Sequence, residues 1–131
     1  MIPRFSQIWS SIRAFTLVEM LCVTVLLGIF GAVTVAFVKD SVATGRDRNA
    51  VSLANSINSA KKSYELRVST AATSWSGAAD DNARWLLIRD RVAYAESLTL
   101  TQFTPAGYSF GLGSSLSTRV SISGPSGTIS Y

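Results

Sequence analysis

Residues that could carry out chemistry are few in this chain. It has no histidine, which excludes imidazole acid–base catalysis and histidine-ligated metal sites. Its single cysteine, Cys22, lies in a long apolar segment, so no intrachain disulfide can form. Its one pair of neighbouring acids, Asp80 and Asp81, is better explained as the start of a helix than as a catalytic pair. The sequence therefore predicts that the protein is not an enzyme, and it indicates no metal and no cofactor.

Length and charge limit the remaining possibilities. The chain has 131 residues, enough for one modest domain, and a formal net charge of +4. Two of its twelve basic residues, Arg4 and Arg13, lie near the N-terminus, and the rest are nearly balanced by eight acidic residues. Arg84, Arg89 and Arg91 could form a basic patch, but aspartates alternate with them, which favours a solvated face of mixed charge. The charge pattern does not indicate a nucleic-acid partner.

The most unusual chemical group is a carboxylate inside an apolar segment. Residues 15–38 form an apolar run whose only charged side chain is Glu19. As a helix the run would be about 36 Å long, enough to cross the roughly 30 Å hydrocarbon core of a bilayer with some tilt. Arg4 and Arg13 precede the run, so the positive-inside rule places the N-terminus in the cytoplasm. An acidic residue in such a span suggests a function and a partner.

Three explanations of the run compete. It could be a membrane anchor that is never cut, or a secretory signal peptide with Thr34, Val35 and Ala36 as its cleavage site. Neither explanation needs Glu19. The third explanation depends on this glutamate and on the residues just before it.

The sequence Ala14-Phe15-Thr16-Leu17-Val18-Glu19-Met20 resembles the processing motif of type IV prepilins and type II secretion pseudopilins. In that family a short basic leader ends in a small residue, a phenylalanine opens an apolar helix, and a glutamate is fifth after the cut. The leader here is residues 1–14, Ala14 stands where glycine is more usual, and Glu19 is the fifth residue from Phe15. The helix lacks the proline of many major pilins, and the chain lacks their C-terminal disulfide loop.

The resemblance implies that a prepilin peptidase cuts between Ala14 and Phe15 and that the new Phe15 amine is methylated. It also implies assembly with other pilin or pseudopilin subunits by inner-membrane machinery. A carboxylate buried in a filament core needs a partner, and the Phe15 ammonium of a neighbouring subunit can supply it. Two local alternatives remain for Glu19, the positive end of its own helix and the Phe15 amine of its own chain.

Small residues recur every four positions along the run. Thr24, Gly28, Ala32 and Ala36 fall on one stripe, and such spacing allows helices to approach closely. Chance in a segment rich in small residues is the other explanation.

The rest of the chain predicts a pilin-like α+β fold. Residues 39–68 are expected to continue the helix, with an apolar stripe of Leu53, Ile57, Ala60, Tyr64 and Val68. Residues 69–131 are expected to form a small head that packs on this amphipathic half.

Within the head we predict a loop at 69–79 and a helix from Asp80 or Asp81 to about Ala95. Trp85, Ile88 and Val92 should point inward, and the arginines of this helix mainly outward. From residue 97 onward, alternation of apolar residues with serine and glycine predicts short antiparallel strands with turns at 105–107 and 124–127.

These expectations favour a structural subunit of a type IV pilus or of a secretion pseudopilus. The subunit would be held in the bacterial inner membrane by a single span, with its head in the periplasm or outside the cell, before it enters a filament. The alternative is a monomeric, membrane-tethered binding module that never polymerises.

Overall fold

A computed structural model describes residues 16–131, and these fall into two units that divide after Ser41. One helix, α1, runs from Leu17 to Arg67 and contributes to both units. It covers the two stretches that the sequence analysis assigned to a membrane half and an amphipathic half. A long N-terminal helix followed by short helices and an antiparallel sheet confirms the predicted pilin-like α+β fold.

The N-terminal unit is helical and has no cover from the described part of the chain. Every residue from 16 to 41 is exposed, including Leu17 at 83% and Phe37 at 70% of its surface. The α1 helix is long and apolar enough to cross a membrane, with a mean hydropathy of 2.6 over its best window. None of that window is buried among the described residues, whereas the core helix of a soluble protein would be mostly buried. The apolar surface therefore needs lipid or other chains around it.

The C-terminal unit, residues 42–131, packs short elements on the second half of α1. In chain order these are helix α2 (Ala71–Ser76), helix α3 (Asp81–Ile88), a 3₁₀ turn (Arg89–Arg91), helix α4 (Leu100–Phe103), and strands β1 (Ser109–Gly111), β2 (Ser121–Gly124) and β3 (Gly127–Ile129). The three strands form one antiparallel sheet in the order β1-β2-β3. Phe110 pairs with Ile122, and Ile122 with Ile129.

The core of this unit forms along the apolar stripe of α1. Ile57, Ala60 and Tyr64 are buried as the pattern indicated, and Leu53 and Val68 pack against the core while half-buried. Ala50 and Ala54 extend the stripe toward the N-terminus and are fully covered. The other buried core residues come from later segments and include Trp75, Trp85, Ile88, Val92, Leu112, Val120 and Ile122. Small alanines on α1 let these larger side chains reach the helix surface.

The predicted loop at 69–79 is wrong in part, because residues 71–76 form α2. Trp75 explains the difference, since it is fully buried and its indole Nε1 donates to the carbonyl of Gly113 at 3.0 Å. Burial of so large an aromatic side chain stabilises a helical turn that local composition does not predict. Gly77 then ends α2, and its N–H donates to the carbonyl of Thr73 at 2.9 Å.

Helix α3 begins as predicted and ends earlier than predicted. Asp80 caps it, since its Oδ1 accepts from the N–H of Ala83 at 2.7 Å. Trp85, Ile88 and Val92 are buried, but the α-helix ends at Ile88. The prediction that Arg84 points outward is wrong, because its guanidinium donates to Asp81 Oδ1 at 2.8 Å and only 15% of the side chain is exposed.

The strand prediction is confirmed for the C-terminal segment, which also contains an unpredicted helix. Gly124 and Gly127 pair across a two-residue turn, and Gly127 has φ +110°, which glycine adopts readily. The extra helix, α4, begins with a reciprocal cap. The N–H of Thr99 donates to Gln102 Oε1 at 3.0 Å, and the N–H of Gln102 donates back to Thr99 Oγ1 at 3.3 Å.

Two truncations on α1 test whether this stripe carries the stability of the C-terminal unit. Ile57 is fully buried, so Ile57→Ala should lower the free energy of unfolding by about 2–5 kcal/mol. Leu66 on the same helix is 74% exposed, so Leu66→Ala should change it by less than about 0.5 kcal/mol. Chemical denaturation of the full chain in detergent measures both. Equal effects of the two variants would contradict the assigned core.

Candidate functional site

Glu19 lies in the first turn of α1 and makes reciprocal contacts with Thr16. Glu19 Oε2 accepts from the backbone N–H of Thr16 at 2.9 Å and from its hydroxyl at 3.0 Å. In return, the backbone N–H of Glu19 donates to Thr16 Oγ1 at 3.2 Å. This pattern is a capping box, in which two helix-terminal N–H groups find partners in side chains three residues apart.

The capping box gives Glu19 a local role that the sequence analysis stated only in part. The sequence indicates the positive end of the helix and the Phe15 amine as local partners, and the structure adds the Thr16 side chain. The signal was present in the sequence, because Thr16-Leu17-Val18-Glu19 has the spacing of a capping box immediately before an apolar run. One carboxylate oxygen, Oε2, accepts both bonds from Thr16. The site is therefore a carboxylate held in place at the start of an apolar helix.

Two of the predicted site residues, Ala14 and Phe15, lie outside the described residues. The geometry of the proposed cleavage site and its methylated amine therefore stays a prediction.

The stripe of small residues lies on the exposed apolar surface of α1. The hydroxyl of Thr24 donates to the carbonyls of Met20 and Leu21 at 3.0 and 2.9 Å, so its polar group is satisfied within the helix. A methyl group added at Gly28 would meet nothing within 4 Å in the described chain. Ala32 and Ala36 are exposed as well. Packing inside the chain therefore does not require small residues here, and the stripe is available for contact between helices.

One pattern associated with catalysis escaped the sequence analysis. Residues 107–111 match the G-x-S-x-G spacing of hydrolase nucleophiles, with Ser109 at the centre. In those enzymes the serine occupies a sharp turn between a strand and a helix. Ser109 instead lies within β1, is exposed, and pairs with Ser123 of β2. The chain also has no histidine to act as the base, so the match indicates a strand rather than a nucleophile.

Metal-ligating side chains do not cluster in the part of the chain that the structure describes. Among residues 16–131 no group of three or more histidine, cysteine or acidic side chains could hold an ion.

Comparison with known protein families gives a match on the segment around Glu19. The family described as the prokaryotic N-terminal methylation motif matches residues 9–35. No curated protein and no solved structure matches the chain. The matched residues include the junction of Ala14 and Phe15, the capping box, and most of the apolar run. The chain therefore carries, at residues 9–35, the signature of the type IV pilins and pseudopilins.

Proposed function

We propose that this protein is a structural subunit of a type IV pilus or of a type II secretion pseudopilus. Prepilin peptidase removes residues 1–14 on the cytoplasmic side of the inner membrane, and the new amine of Phe15 is methylated. Before assembly, the subunit remains in the membrane as a single-span protein with its C-terminal unit outside the cytoplasm. Assembly machinery transfers it into a filament, in which the apolar helices pack against one another.

The observation that supports this proposal best is the coincidence of the methylation motif with an uncovered apolar helix. The motif ends at residue 35, and every described residue up to 41 is exposed. A membrane covers such a surface before assembly, and neighbouring helices cover it afterwards. A monomeric tethered module would need the same span, but it would need neither the motif nor a carboxylate in the first turn.

Glu19 is proposed to make filament assembly favour subunits from which the leader has been removed. Burial of a carboxylate among apolar helices is costly unless a positive group lies beside it. Cleavage would convert the peptide nitrogen of Phe15 into an ammonium, which can pair with Glu19 of a neighbouring subunit. The uncut precursor has no such ammonium, so its Glu19 would enter the filament unpaired. The Thr16 contacts fix where the carboxylate lies and do not neutralise its charge.

The first prediction of the proposed function concerns the N-terminus of the mature protein. Because the cut is proposed between Ala14 and Phe15, the chain purified from its native membrane should begin at Phe15 and carry one extra methyl group. Intact mass and N-terminal peptide analysis measure both. A chain that still begins at Met1 would indicate an uncut anchor and the tethered-module alternative. A chain that begins beyond residue 36 would indicate an ordinary signal peptide.

A second prediction separates the charge of Glu19 from its capping role. Gln also serves in a capping box, so Glu19→Gln keeps the contacts with Thr16 and removes only the charge. We expect filament yield to fall at least about tenfold. The Phe15 ammonium of the neighbouring subunit would then be buried without a carboxylate beside it, which costs more than about 1.4 kcal/mol. Quantitative immunoblotting of sheared filaments measures the yield against total subunit.

The matched control is Thr16→Ala, which removes the capping hydroxyl and keeps the carboxylate. It should destabilise the first turn of the helix by about 1 kcal/mol and leave filaments forming. Mature N-termini are compared in all variants, so that a processing defect is not mistaken for an assembly defect. If Thr16→Ala abolished filaments while Glu19→Gln did not, Glu19 would act through its helix cap and the charge-pairing proposal would be wrong.

A further inference from the structure

A buried lysine lies at the centre of the C-terminal unit. Lys61 is on the core side of α1, and only 1% of its surface is exposed. Its Nζ donates to the carbonyl oxygens of Leu112 at 2.7 Å and Ser115 at 3.2 Å, and also to that of Thr118. An ammonium group has three N–H donors, so three carbonyl oxygens match its capacity. The segment that links β1 to β2 therefore curves around a single cationic group.

Other contacts hold this segment in addition to those of Lys61. The N–H of Leu112 donates to Asp81 Oδ2 at 3.0 Å, and the carbonyl of Gly113 accepts from the Trp75 indole. Gly113 has φ +75°, and a methyl group added there would lie 3.1 Å from the Thr118 side chain. The N–H of Val120 donates to Asn58 Oδ1 at 3.0 Å, which fixes the end of the segment to α1. The carbonyl oxygens are thus held convergent by contacts to α1, α2 and α3.

The surroundings of the amine also suit a positive charge. Lys61 Nζ lies 5.0 Å from the centre of the Trp75 ring, within the range of a cation–π contact. Burial lowers the pKa of Lys61 to about 8, Asp81 opposes this shift, and Arg84 adds to it. At neutral pH the amine is therefore still mainly protonated and has three donors. Asp81 in turn pairs with Arg84, so the charged groups of α3 facing Lys61 nearly balance each other.

We propose that the carbonyl oxygens of Leu112, Ser115 and Thr118 form a preformed binding site for a primary ammonium group, which Lys61 fills from within the chain. The site is separate from the methylation motif and does not depend on the proposed filament function. Removal of the lysine side chain beyond its Cβ should leave a cavity that accepts a small alkylammonium ion from solution. The three carbonyl oxygens would otherwise be left without their donors in a buried position.

Chemical rescue of Lys61→Ala in the full chain in detergent at pH 7 tests this proposal. The truncation removes three carbons and the amine, which propylammonium matches in size and charge. We expect the backbone amides of residues 112–118 to exchange hydrogen at least about tenfold faster in Lys61→Ala than in the unaltered protein. Propylammonium chloride should restore most of the protection. Tetramethylammonium chloride at the same concentration should not, because it has the charge and no N–H donor.

Lys62→Ala is the matched control, because Lys62 is the neighbouring residue on α1. Its side chain is 66% exposed, and among residues 16–131 its ion pair is with Glu65, at 2.8 Å. Its loss should leave exchange at residues 112–118 unchanged. Equal recovery of Lys61→Ala in both salts, or no recovery in propylammonium, would overturn the proposal. If Lys61→Ala does not fold, Lys61→Met fills the volume without donors, and unchanged exchange in that variant would also overturn it.

Discussion

The structure depends on one constraint, which is that α1 carries more apolar surface than the described part of the chain covers. From Ala50 to Tyr64 the helix buries one face beneath the later segments. From residue 17 to 41 every residue of the helix is exposed. Apolar side chains in a span favour the membrane by about 0.3–0.6 kcal/mol each, so such a segment is stable in lipid or in another apolar environment. In the proposed function, a subunit that enters a filament would therefore exchange lipid for other helices.

That exchange has little hydrophobic driving force, because neighbouring helices are no more apolar than lipid. Close packing and specific polar contacts must then decide whether helices associate. The α1 segment offers one feature of each kind, the stripe that contains Gly28 and the carboxylate of Glu19. Both are exposed, and neither is needed to pack the described chain. Gly28 has no packing partner in the described chain, and Glu19, besides capping its own helix, keeps a charge that the cap does not neutralise.

In the C-terminal unit the constraint is different, because its short elements are stable only when they pack on a single helix. Each strand has three or four residues and each later helix four to eight, so none is stable alone. Large aromatic side chains from α2 and α3 are buried in one cluster with the alanines of α1, and Lys61 joins the β1–β2 segment to the same helix. Tertiary contacts therefore determine the local structure here, which explains why sequence patterns alone were less reliable in this region.

Whether an element could be predicted depends on how far apart in the sequence the residues lie whose contacts stabilise it. The long helix and the strands were predicted because their periodicity is set by burial of one face, as for Ile57 and Phe110. Helix α2 was missed because Trp75 depends on Gly113, which is distant in sequence. The burial of Lys61 was missed for the same reason, since its partners begin 51 residues later. By contrast, the Thr16–Glu19 capping box is local and could have been predicted from its spacing.

The capping box changes how the proposed pairing of Glu19 works. A free glutamate loses side-chain entropy when it binds a partner, and this loss weakens the contact. Because Thr16 already holds the carboxylate, Glu19 loses much of its side-chain entropy when the helix forms and not when the partner binds. An incoming ammonium would then meet an acceptor in a fixed position, on a helix whose terminal N–H groups already have partners. The same two contacts that begin α1 in a single subunit would in this way prepare it for the next one.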